Sequence, residues 1–68
     1  MVEFILKTEY IELYKLLKVT GLAENGADGK YFVSEGRVLV NGATETRKGF
    51  KVRPGMRVEL DGQEILVK

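Results

Sequence analysis

The side chains of this chain that could do chemistry are its cations. Arg37 is followed within twenty residues by Arg47, Lys48, Lys51, Arg53 and Arg57, and Lys30 precedes it. Guanidinium and ammonium groups bind phosphate oxygens and release condensed counterions, which gives affinity for a polyanion with no covalent step. Other chemistry lacks its parts. The 68 residues include no histidine and no cysteine, so the usual general bases, thiol nucleophiles and structural zinc ligands are missing. The one serine, Ser34, has no base near it in sequence. Asp28 and Asp61 fall in a helix start and a turn, where a carboxylate serves the backbone. No carboxylates have the spacing of a metal loop. Neither an enzymatic activity nor a cofactor, metal or small-molecule substrate is expected.

Two glycine patterns invite a phosphate reading. Gly29-Lys30 looks like the end of a nucleotide phosphate loop, but the earlier glycine is replaced by Glu24 and Tyr31 stands where Ser or Thr would bind magnesium. Gly26-Ala27-Asp28-Gly29 is a Gly-x-x-Gly of the kind that clamps nucleic-acid backbone in KH domains. Its middle residues are small and acidic, and the chain closes in strands where a further helix would be needed.

Net charge is only +1, yet its distribution is uneven. Residues 1–36 carry four lysines against six acids, and residues 37–68 carry seven cations against four acids. An excess of one sign in one half points to a polyanion-binding face. The competing reading is an ordinary solvated surface.

These cations must be held by elements, and the hydrophobic pattern supplies them. Val2–Lys7 alternates as a strand. Thr8 is placed to cap a helix over about Glu9–Lys18, with Tyr10, Leu13, Tyr14 and Leu17 on its apolar stripe and Gly21 past its end. Asn25 to Asp28 has the spacing of a second helix cap, and that helix runs to about Glu35 and stops at Gly36. Gly29 within it costs about 1 kcal/mol relative to alanine, which is expected to permit close approach to the first helix. The period then changes to two. Arg37–Val40 reads as a strand, Asn41-Gly42 as a hairpin turn, and Ala43–Thr46 as the return arm. Phe50 and Val52 lead to a turn at Pro54-Gly55, then Val58 and Leu60 alternate before Asp61-Gly62, and Glu64–Lys68 closes the chain. Strand, helix, helix and several strands make one α+β domain of two packed layers. The start is too short and too charged for a signal peptide, and no apolar run is long enough to span a bilayer, so a cytoplasmic location without membrane contact is expected. The edge Val2–Leu6 is expected to pair with Glu64–Lys68; left unpaired, it would allow a dimer.

Gly21-Leu22-Ala23, Ser34-Glu35-Gly36-Arg37-Val38-Leu39-Val40-Asn41-Gly42 and Lys51-Val52-Arg53-Pro54-Gly55 together resemble the RNA-binding domain of ribosomal protein S-four, the αL motif. The resemblance covers roughly residues 10–60. Asn25–Lys30 and Glu45–Lys48 look like the small stand-alone bacterial members, which add an N-terminal strand. It implies two short helices packed on a small, mostly antiparallel sheet, with residues 1–68 forming a single RNA-binding domain. It also implies a structured RNA partner of the ribosomal or transfer type, bound through Lys30, Arg37, Arg47, Lys48 and Lys51. Glu12, Gly26 and Tyr31 stand where many members carry arginine, which thins the cationic face on the helices. That thinning motivates an alternative from another class, a protein-interaction or assembly-factor module with little RNA affinity. A sulfur-carrier reading lacks the required terminal Gly-Gly, because the chain ends Leu66-Val67-Lys68.

Overall fold

The computed structural model describes residues 1–68. In chain order the elements are β1 (Val2–Phe4), β2 (Ile11–Glu12), α1 (Leu13–Val19), α2 (Gly26–Ser34), β3 (Val38–Val40), β4 (Ala43–Thr44), β5 (Lys51–Val52), β6 (Arg57–Leu60) and β7 (Gln63–Val67). Five strands form one mixed sheet in the order β1-β7-β6-β3-β4, and β2 and β5 form a separate two-stranded ladder.

Alternation decides which face of the sheet is buried. Val38, Val40, Val58, Leu60, Ile65 and Val67 point inward onto Leu13, Leu16 and Leu17 of α1 and Val33 of α2. The intervening residues Leu39, Arg57, Glu59, Glu64 and Leu66 share the opposite face, as a period of two requires. Both hairpins turn on two residues with positive φ: Asn41 at 51° and Gly42 at 86°, then Asp61 at 49° and Gly62 at 84°. That is the type I′ geometry, whose twist matches the flanking strands and which admits asparagine, aspartate and glycine most readily. The expected pairing of the first strand with the last is present. β1 runs parallel to β7 with Val2 opposite Ile65 and Phe4 opposite Val67, and the Leu6 N–H extends the ladder to the Lys68 carbonyl at 2.7 Å.

α2 follows its expected course. The Asn25 side chain accepts from the Asp28 N–H at 2.8 Å, and the helix closes with Glu35 as C-cap. Its Gly29 lies against α1 so closely that a Cβ there would sit 2.6 Å from the Tyr14 carbonyl oxygen.

The first helix departs from expectation. It begins at Leu13 and not near Glu9, and Thr8 does not cap it: the Thr8 hydroxyl donates to the Tyr10 carbonyl at 2.8 Å. Ile11 and Glu12 are drawn into a ladder with Val52 and Lys51. The first helical N–H groups then find acceptors across the fold. Leu13 donates to the Phe50 carbonyl at 2.9 Å and Tyr14 to the Lys48 carbonyl at 3.2 Å. Backbone carbonyls from a distant segment thus do what a capping side chain does elsewhere. A two-residue strand leaves no period in the sequence, and so the apolar residues Tyr10 and Leu13 read as one helical stripe.

Candidate nucleic-acid interface

The contact between the start of α1 and residues 48–50 decides where the cations go. It brings the segment Arg47–Arg53 beside Tyr10 and Tyr14, and α2 adds Lys30 from the other side. The Lys30 Nζ lies 4.8 Å from the Tyr14 ring centroid, and Lys15 approaches the same ring at 5.9 Å. Lys51 lies 5.0 Å from the Tyr10 centroid and the Arg53 guanidinium 5.7 Å from it. Lys48 is exposed and joined to Tyr14 through its carbonyl. Lys30, Lys48, Lys51 and Arg53 form no ion pair with a carboxylate. Aromatic faces steady Lys30, Lys51 and Arg53, a contact worth about 0.5–1 kcal/mol at exposed sites, and all four charges stay available to an incoming anion. An open depression of about 390 Å³ lined by Arg47, Gly49, Phe50 and Lys51 adjoins them.

The two expected arginines are held differently. Arg47 makes a fork to Glu45, with Nε to Oε2 at 2.9 Å and Nη2 to Oε1 at 3.1 Å, and its guanidinium lies 5.2 Å from the Phe50 centroid. Arg37 is ion-paired and hydrogen-bonded to Asp61, and lies 4.5 Å from the Phe32 centroid. Lys30, Lys48 and Lys51 therefore gather around the start of α1 with Arg47 beside them. Arg37 has separate partners, at Phe32 and at the β6–β7 turn. Tyr10 and Arg53 complete the cluster without standing among the expected site residues. The alternation of Lys51 and Arg53 was the available signal, since it places both on one side of a strand. Glu12 pairs with Lys15 at 3.0 Å and so offsets one further positive charge.

The Glu45 carboxyl is held below its ordinary range, first by the Arg47 side chain and then by the Arg47 N–H. A carboxylate with a depressed folded pKa stabilises the fold above its unfolded value, about 4.3, and that stabilisation is lost as pH falls through the folded value. Glu45→Gln is thus expected to be less stable than the parent at pH 7, with the difference shrinking on acidification below about 4. Urea unfolding of both proteins at neutral and acid pH measures it. An unchanged difference at acid pH would deny the ion pair its role.

The far side of the sheet has another character. A depression of about 330 Å³ is lined there by Asn41, Gly42, Gly55, Arg57, Glu59, Glu64 and Leu66. Glu59 and Glu64 sit directly opposite each other across β6 and β7, and Arg57 reaches Glu64 at 3.9 Å. Two facing carboxylates and one engaged arginine repel phosphate. No group of three acidic residues is placed to hold a metal ion, and no helix is long and apolar enough to cross a membrane.

Two short helices closed by a hairpin on a small mixed sheet make this an αL domain of the α+β class. The chain belongs to the S4 domain family, whose model matches residues 4–68. It is 43% identical over 61 residues to a protein of Escherichia coli named "Putative RNA-binding protein YbcJ", covering 90% of this chain and 87% of that one. The solution structure of YbcJ, described as an αL motif involved in RNA binding, superposes with a TM-score of 0.76 over 98% of this chain and 86% of that chain. A Bacillus subtilis protein named "Probable ribosome maturation protein RlbA" is 40% identical over 55 residues, 81% of this chain and 78% of the relative.

Proposed function

We propose that this protein binds structured RNA without catalysing a reaction, in the cytoplasm, as part of ribosome maturation or translation. The binding edge consists of Lys30, Lys48 and Lys51 beside Arg47, with Arg37 as a second anchor. One observation carries the reading: in an S4 domain, cations without carboxylate partners converge on one helix start, while the opposite sheet face is acidic. Arg37 and Arg47 contribute by exchanging Asp61 and Glu45 for phosphates. Because a guanidinium fork fits a carboxylate and a phosphate equally well, the exchange preserves their geometry. The names carried by the YbcJ and RlbA relatives support the same assignment.

Affinity for a stem–loop RNA is expected to fall steeply with salt. Three to five phosphate contacts correspond to a slope of log K against log salt of about −3 to −4.5. Fluorescence anisotropy across a salt series reads this directly. A protein that ignored RNA at low salt, yet bound a protein partner with no salt dependence, would be an assembly module and not an RNA-binding one.

A further inference from the structure

Tyr31 stands on the outward face of α2 and is 56% exposed, while Phe32 beside it is half-buried and Val33 is fully buried. The chain has six aromatic rings. Phe4 packs against the core, and Tyr10, Tyr14, Phe32 and Phe50 each carry a cation. Tyr31 has neither. Its aromatic contact is a tilted one with Phe32, centroids 6.0 Å apart and planes at 60°, and its hydroxyl makes no hydrogen bond within the chain. Two cations stand close to it in the fold. Lys30 is its neighbour on α2, free of any carboxylate, and the Arg37 guanidinium packs on Phe32.

We infer that Tyr31 is a stacking platform for a nucleotide base displaced from its helix, with Lys30 and Arg37 taking the phosphates that flank it. The inference rests on the RNA-binding reading and adds the class of RNA. The target is a duplex interrupted by an unpaired, extruded base, not an uninterrupted one. A paired base hides both its faces in the stack, whereas an extruded base presents one flat face to a ring such as Tyr31 and leaves its backbone phosphates on either side. An arginine at this position would add one phosphate contact to any RNA. A tyrosine adds nothing to a continuous duplex and discriminates in favour of the interrupted one.

The test uses two stem–loop RNAs that differ by a single bulged 2-aminopurine, titrated by anisotropy at one salt concentration while the emission of the bulged base is followed. The parent protein is expected to bind the bulged RNA about fivefold to a hundredfold more tightly than the continuous stem, the range that stacking on one aromatic ring gives. Its emission should be quenched as the base stacks. Tyr31→Phe should keep the preference, and Tyr31→Ala should lose it while binding the continuous stem as the parent does. The position is exposed on a helix, so alanine there leaves the fold intact, and far-ultraviolet circular dichroism verifies this. Equal affinity of the parent for the two RNAs, or a preference that survives in Tyr31→Ala, overturns the inference and leaves salt-dependent binding to the continuous stem standing. Were Tyr31 a protein-docking residue instead, Tyr31→Ala would leave both RNA affinities untouched. Absence of binding to either RNA at low salt removes the RNA-binding reading and the inference together.

Discussion

Lys48→Gln combined with Lys51→Gln is expected to weaken RNA binding about sixtyfold at about 0.1 M salt. The figure follows from counterion release. Each phosphate contact contributes a factor of salt concentration raised to about −0.9, or about eightfold at 0.1 M, and two contacts multiply. The same argument predicts a salt slope less steep by about 1.8, so that the parent and double variant converge near 1 M. Convergence is the diagnostic part, because damage to the fold would lower affinity at every salt concentration. Both lysines are exposed and free of carboxylate partners, so neutralising them breaks no ion pair. Arg57→Gln supplies the contrast: Arg57 lies on the acidic sheet face beside Glu64, and its loss should leave the slope unchanged. A double variant that kept the parent slope would move the RNA edge away from the Lys48–Lys51 segment.

Gly29→Ala should destabilise the protein by about 1–3 kcal/mol, the usual cost of forcing an extra carbon into a packed contact. On helix propensity alone the same change would stabilise by about 1 kcal/mol. The sign is decided by geometry, since the new Cβ would meet the Tyr14 carbonyl oxygen at 2.6 Å and that oxygen belongs to backbone. For a domain of this size the cost corresponds to a melting temperature lower by about 4–24 °C. Gly26→Ala, one turn earlier, is the matched control. Its Cβ would stand 3.7 Å from the Tyr14 ring, an ordinary contact, so it should melt at or above the parent temperature. If the two variants melted alike, the close approach of the helices would not be what glycine serves at position 29. The consequence reaches the proposed binding edge, because the α1–α2 contact sets Tyr14 beneath Lys30.

Residues that act through their neighbours in the chain were the legible ones. Asn41-Gly42 announces its turn because few residues accept positive φ at two consecutive positions, and Asn25 announces α2 because a cap acts within three residues. The alternation at Val58, Leu60, Ile65 and Val67 gives the buried face of the sheet. Residues that act across the fold were not legible. Ile11-Glu12 becomes a strand only because Lys51-Val52 lies opposite, and two residues are too few for a period. Charge and the family resemblance marked Lys30, Lys48 and Lys51 as available, and likewise Arg37 and Arg47. That the arginines are engaged by Asp61 and Glu45 depends on the register of the β6–β7 hairpin and on the course of the Glu45–Phe50 loop. Tyr10 illustrates the same limit: it reads as part of a helical stripe, yet it lies outside the helix, 37% exposed, with two cations 5.0 and 5.7 Å from its ring centroid.

The parallel register of β1 with β7 has a mechanical meaning. Val2 stands beside Ile65 and Phe4 beside Val67, so the chain enters at one end of this ladder and leaves at the other. Tension applied through the two ends therefore loads the ladder lengthwise, and its hydrogen bonds resist together, where a hairpin pulled from its open end would unzip one bond at a time. Forced unfolding is governed by the rate of crossing that barrier and not by equilibrium stability. A domain of only 68 residues can in this way keep its shape under tension along the chain.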